Sequence, residues 1–170
     1  KLVDELFLLT NKPVLYLCNV DEASAVKGNA YVDAVRAAIA DENAELLIVA
    51  AATEADIAEL ETYEERHMFL EEIGLEESGV SRLIKAAYNL LDLETYFTTG
   101  PDETRAWTYQ KDTKEPQAAG IIHTDFGRRF IRAEVIKYDD YNELGSEKAC
   151  REAGRISIEG KEYVVQDGDI

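Results

Sequence analysis

The sequence predicts a chain of mixed class, α/β followed by α+β, and three observations carry that prediction. Two continuous apolar runs, residues 13–20 and 46–52, bracket a segment with helical spacing, the pattern of a βαβ unit. A long acidic stretch follows, with apolar residues recurring every three or four positions. Near Leu91 to Leu93 the composition then shifts to strand formers and turns, which divides the chain into 1–92 and 93–170.

The first run, PVLYLCNV, reads as a parallel strand covered on both faces, because it is continuous rather than alternating. Tyr31, Val32, Val35, Ala38 and Ile39 give the crossover helix, and the run from Leu46 to Ala52 the second strand. From Thr53 onward Ile57 and Leu60, then Met68, Phe69 and Ile73, then Val80 to Leu91 predict two or three helices, broken at Gly74 and at Ser78-Gly79. The acids from Asp41 to Glu77 read as their solvated face.

Beyond the boundary, residues 93–98 read as a strand and Thr99-Gly100-Pro101 as a turn. Residues 105–110, with Trp107 and Tyr109 alternating, read as a second strand and PQAAGII as a brief helix. Residues 130–136 and 163–165 read as further strands, before a tight Asp167-Gly168-Asp169 turn. The sum is a small α+β sheet with a helix across one face.

With 170 residues, 46% of them hydrophobic and 31% charged, the chain can bury a sizeable core. No apolar run is long enough to span a membrane, and KLVDELFLLT has neither a basic stretch nor a small-residue cleavage site, so the protein is expected in the cytoplasm. Cys18 and Cys150 lie far apart without metal-ligand spacing, so they read as reduced thiols, Cys18 as a core residue, and no metal site is expected. The net charge is −17, unevenly spread: residues 1–100 hold 7 Lys and Arg against 20 Asp and Glu, residues 101–170 hold 11 against 15. Only residues 101–137 are locally balanced toward positive charge, so contact with a phosphate backbone would have to come from there. Arg128, Arg129 and Arg132 are the candidates for RNA or ribosome contact.

The first strand ends in Asn19-Val20-Asp21-Glu22. Ligands of open parallel sheets sit beyond the carboxyl ends of the strands. A loop that meets a nucleobase needs an amide, an apolar cover for the ring, and a carboxylate to accept from base-edge N–H groups; Asn19, Val20 and Glu22 supply them in turn. The tetrad resembles the NKxD base-recognition motif of P-loop GTPases, with Val20 in place of Lys and Glu22 in place of Asp. Taken with ESGVSRLIKAAYNLLDLETYFTTGPDETRAWT (77–108), PQAAGIIHTDFGRRFIRAEV (116–135) and GKEYVVQDGD (160–169), it closely resembles the YchF/Obg-like ATPase family over nearly the whole chain.

That resemblance implies several things. The fold would be the end of a P-loop NTPase parallel sheet with helices, followed by a ubiquitin-like β-grasp (TGS) domain. The activity of the complete protein would be ATP or GTP hydrolysis with Mg2+, coupled to ribosome- or RNA-associated regulation. Glu22, longer than Asp, would relax guanine preference, and the small residues Ala50 and Ala51 would let backbone N–H groups approach the base. The sequence has no GxxxxGK[ST] cradle, since Gly160-Lys161 is followed by Glu162. The chain therefore resembles a C-terminal half with its last strand truncated after Ile170, expected to bind nucleotide poorly and to hydrolyse none. The alternative is a non-enzymatic TGS module that recruits a ribosomal, RNA or protein partner. His123-Thr124-Asp125 and Trp107 suggest catalysis or base stacking, but no nucleophile accompanies the first and the second reads as core.

Overall fold

The computed structural model describes residues 6, 8–42, 44–100 and 102–170. Pro101 of the expected turn, and residues 1–5 and 7 of the opening segment, lie outside them. The chain forms two compact units, residues 1–91 and 92–170.

In the first unit, β1 (Leu15–Asn19) pairs in parallel with β2 (Glu45–Val49), in register from Leu15 opposite Glu45 to Asn19 opposite Val49. Between them α1 (Ala30–Ala38) starts where the Asn29 side chain accepts from the N–H of Tyr31 and Val32, so two of its unpaired donors are satisfied. Val32, 2% exposed, anchors this helix in the core; burying such a side chain stabilises by roughly 1.5 kcal/mol or more. Three helices follow: α2 (Ala51–Glu59), α3 (Tyr63–Glu72) and α4 (Gly79–Leu90). The second opens with a reciprocal capping box between Thr62 and Glu65. α4 lies against both strands.

Two expectations need correction here. β1 is not covered on both faces: Leu17 is 50% exposed, and Val14, just before it, 43%. Among the described residues β1 pairs only with β2, and a parallel strand is buried throughout only when helices cover both faces of its sheet. The second strand stops at Val49, not at residue 52. Ala51 and Ala52 already belong to α2, because alanine has the highest helix propensity and no β-branch to favour a strand.

In the second unit, β3 (Leu93–Thr99) and β4 (Thr104–Gln110) form an antiparallel hairpin. Next come α5 (Glu115–Ile122), with Pro116 in its first turn, and α6 (Thr124–Arg129). The chain continues through β5 (Ala133–Ile136), α7 (Tyr138–Leu144), α8 (Glu147–Glu152) and β6 (Ile156–Glu159), the last antiparallel to β5. The tail is stitched between β3 and β5. Phe97 N–H donates to Asp169 O at 2.7 Å, and Ile136 and Ile170 exchange backbone bonds at 2.8 and 2.9 Å.

The core of this unit is Tyr96, Tyr109, Ala118 and Val165, with Trp107 and Ile122 packed against it. The two tyrosine rings meet edge to face, centroids 5.6 Å apart. Their hydroxyls are satisfied inside: Tyr96 donates to Ala118 O at 2.9 Å and Tyr109 to Glu94 at 2.7 Å. α6 sits close on α5, since a Cβ at Gly127 would lie 2.6 Å from Pro116 O and 3.1 Å from Gly120 Cα.

Here too the structure departs from expectation. Residues 163–165 make no strand, only an isolated bridge between Val164 and Lys114. The strand expected from residue 130 begins at Ala133, and His123-Thr124-Asp125 opens α6 rather than turning from a helix to a strand. The helices α6, α7 and α8 and strand β6 were not expected.

Candidate functional site

The sequence motif Asn19-Val20-Asp21-Glu22 lies where β1 leaves the sheet. Val20 N–H donates to Val49 O at 2.9 Å, carrying the pairing one residue past the strand. Asp21 then turns the chain: its carboxylate accepts from Ser24 N–H at 3.0 Å and caps the single 3-10 turn Glu22–Ser24. Within the tetrad Asn19, Asp21 and Glu22 are exposed and Val20 half-buried. Among the described residues the Glu22 carboxylate makes no hydrogen bond or ion pair.

Asn19 reaches across to the neighbouring strand end. Its Oδ1 accepts from Ala51 N–H at 3.0 Å. Ala50 occupies the N-cap position of α2 and has no side chain able to cap it. Asn19 therefore supplies from β1 the acceptor that α2 lacks locally, and the two strand-end loops are tied together. With Oδ1 engaged, the Asn19 amide keeps an NH2 donor that has no hydrogen-bond partner among the described residues. Ala50 is buried and Ala51 exposed, and the Ala51 N–H is already taken by Asn19, so it is not a free donor.

One turn further along α2, Glu54 accepts from Gly79 N–H at 2.6 Å and Val80 N–H at 3.3 Å, placing a carboxylate at the positive end of α4. A Cβ at Gly79 would approach Glu54 Oε1 at 2.9 Å and Val49 Cγ1 at 3.0 Å, so α4 starts close against β2. Sequence reasoning overlooked Glu54 because it stands among many acids, and only its partner 25 residues away distinguishes it.

In the second unit, Arg128, Arg129 and Arg132 are exposed, the first two in the last turn of α6. None of the three makes a hydrogen bond or ion pair among the described residues. Most other cations of this unit are engaged, Lys161 being an exception: Lys111 with Glu94, Lys114 with Glu162, Lys137 with Asp169, Arg151 with Glu134 and Glu147, Arg155 with Asp140. His123 is used structurally, its Nδ1 accepting from Asp125 N–H at 3.2 Å. The Arg105 guanidinium covers the Trp107 ring, 4.2 Å from its centroid, while the indole N–H donates to Thr98. Cys150 is fully buried and Cys18 half-buried, both as free thiols.

No group of three or more His, Cys, Asp or Glu among the described residues could hold a metal ion, and no helix there is long and apolar enough to cross a membrane.

Residues 93–170 match the YchF-GTPase_C family model, described as a protein of unknown function (DUF933). Over its whole length the chain is 55% identical to a ribosome-binding ATPase YchF of Bacillus subtilis, covering 47% of that protein. It is 44% identical over 95% of its length to the human Obg-like ATPase 1, covering 41% of it. The solved structure of the Schizosaccharomyces pombe YchF GTPase matches 99% of the chain with a TM-score of 0.84 at 38% identity, covering 45% of that chain. The chain thus spans less than half the length of these relatives.

Proposed function

Because the chain belongs to the YchF/Obg-like ATPase family, we propose that it is the base-reading and partner-binding part of a nucleotide-hydrolysing protein that works at the ribosome in the cytoplasm. The observation that carries the reading is the Asn19 clamp on Ala51, which ties the loop beyond β1 to the start of α2 in a tetrad with one amide donor, one half-buried Val and one exposed, unpartnered carboxylate. In the complete protein a purine would rest on Val20, with Asn19 and Glu22 at its edge and the backbone at Ala50 beside it. The phosphates and Mg2+ would be held by a P-loop that this sequence does not contain, so the chain alone is proposed to hydrolyse nothing.

Adenine sets an N6 amine donor beside an N1 acceptor, whereas guanine sets two donors, N1–H and N2–H2, side by side. A short Asp suits the guanine pair, and the longer Glu22 relaxes that match, so ATP is proposed to serve at least as well as GTP. The test is the ratio of ATP to GTP affinity for the complete protein, wild type against Glu22→Asp. The substitution should move preference toward GTP; an unchanged ratio removes Glu22 from the site.

Residues 93–170 are proposed to be the TGS domain, a ubiquitin-like β-grasp. Supporting this, the tail from Gly168 follows β3 and meets β5 antiparallel, as a strand set between the two would. A cavity of about 310 Å³, lined by Phe97 and Thr98 of β3, Ala133 and Ile136 of β5, and Asp169 and Ile170, adjoins this tail. The three unpaired arginines favour an RNA or ribosome contact for this domain.

A further inference from the structure

The arginines do not stand alone. Phe126, between them and the start of α6, is 57% exposed, and Ile131, between Arg129 and Arg132, is 80% exposed. The Phe126 ring lies against that of His123, centroids 5.8 Å apart. Phe126 and Arg129 are three residues apart on one helix, so they are surface neighbours. The Gly127 approach to Gly120 and Pro116 seats α6 on α5, which leaves its outer residues no inward alternative.

We infer that the exposed surface where Phe126 neighbours His123 and Arg129 on α6 binds an unpaired RNA strand, one base lying on the Phe126 ring and phosphates along the strand reaching Arg129 and, round the helix and just past its end, Arg128 and Arg132. The inference rests on the reading of these arginines as nucleic-acid contacts and adds the kind of nucleic acid. Charge complementarity selects a polyanion: this unit neutralises its other arginines on carboxylates or an aromatic ring, while Arg128 and Arg129 make no ion pair and Arg132 acts only on Glu134, without a direct ion pair, in a chain of net charge −17. The exposed ring selects the strandedness. In a duplex the base faces are stacked inside and the surface is phosphate and sugar, against which a protruding phenyl group gains little. An unstacked base gives it a flat apolar partner. Asp125, beside His123, is the one acid of α6 and lies at its opposite end from the arginines.

The test is fluorescence anisotropy of the chain with a single-stranded oligoribonucleotide and with a hairpin duplex of equal length, each across a salt series. The single strand should bind more tightly. Phe126→Ala should weaken it by about tenfold, the loss of one stacked base, and Phe126→Trp should restore it. The triple variant Arg128→Ala, Arg129→Ala, Arg132→Ala should flatten the salt dependence by about two in logarithmic slope. Equal binding of both RNAs, unaffected at Phe126 but lost in the triple variant, refutes the stacking surface and leaves the arginine reading intact. Affinity indifferent to all three arginines, with circular dichroism unchanged, refutes both. Competition by polyglutamate as effective as by polyuridylate overturns the assignment to RNA.

Discussion

Replacing Asn19 separates what this residue does for the fold from what it does for a ligand. In Asn19→Ala, Ala51 N–H loses its 3.0 Å acceptor, and Ala50 has no side chain to replace it. Loss of a helix-start acceptor costs about 1 kcal/mol, toward the low end here because an exposed N–H recovers water. For a cooperative unit of this size that lowers Tm by about 4 to 8 °C. In Asn19→Asp a carboxylate oxygen stands in the same place, and its negative charge at a helix N-terminus is favourable, so stability should return. The NH2 donor does not return, so the complete protein should remain weak in purine binding. Thermal unfolding by circular dichroism and hydrogen exchange at the Ala51 amide read the first effect; nucleotide titration reads the second. An Asn19→Ala protein with unchanged Tm and unchanged Ala51 exchange would refute the clamp. Full nucleotide affinity in Asn19→Asp would refute the donor role.

Three further perturbations have defined outcomes. Gly127→Ala should lower Tm, because a Cβ 2.6 Å from Pro116 O must push α6 off α5, at about 1 to 3 kcal/mol of overpacking against about 1 kcal/mol of helix propensity gained. Lys137→Met should destabilise the second unit by about 1 to 3 kcal/mol in denaturant titration, since it takes the 2.6 Å partner from Asp169, which is only 4% exposed. Burial holds the Glu115 carboxyl above its usual range, with like charge on Asp169 and Glu159 adding to the effect. The folded state then binds that proton more tightly than the unfolded chain, so stability falls as pH rises from about 4.3 upward. Glu115→Gln should raise Tm at neutral pH, and the gain should vanish below about pH 4 in a pH series of melts.

The βαβ unit was legible because its apolar positions obey two periods, continuous in 13–20 and three-to-four from Tyr31 to Ile39, and because Asn29 announces a helix start. The end of β2 was not, since alanines at 50–52 fit a buried strand as readily as a first helical turn, and the acceptor that decides the matter sits 32 residues earlier on Asn19. The short helices α6, α7 and α8 lack a full amphipathic repeat, so no period exposes them. The residues Val164 and Val165 look like a strand but only bridge, because the following turn at Gly168 is drawn up against β3. Where the first strand ends was legible from the apolar run that gives way to polar residues at Asn19. The exposed ring of Phe126 was not, because an aromatic residue beside glycine reads as core until its neighbours are known.

Helix α2 is held at one end by Asn19 and, a turn later, holds α4 through Glu54. Those two tethers make it a stiff rod between the mouth of the sheet and the head of α4. The start of α2 and the start of α4 are thus joined through one short helix with a single side chain at each joint, so losing either acceptor unfastens one end of that link.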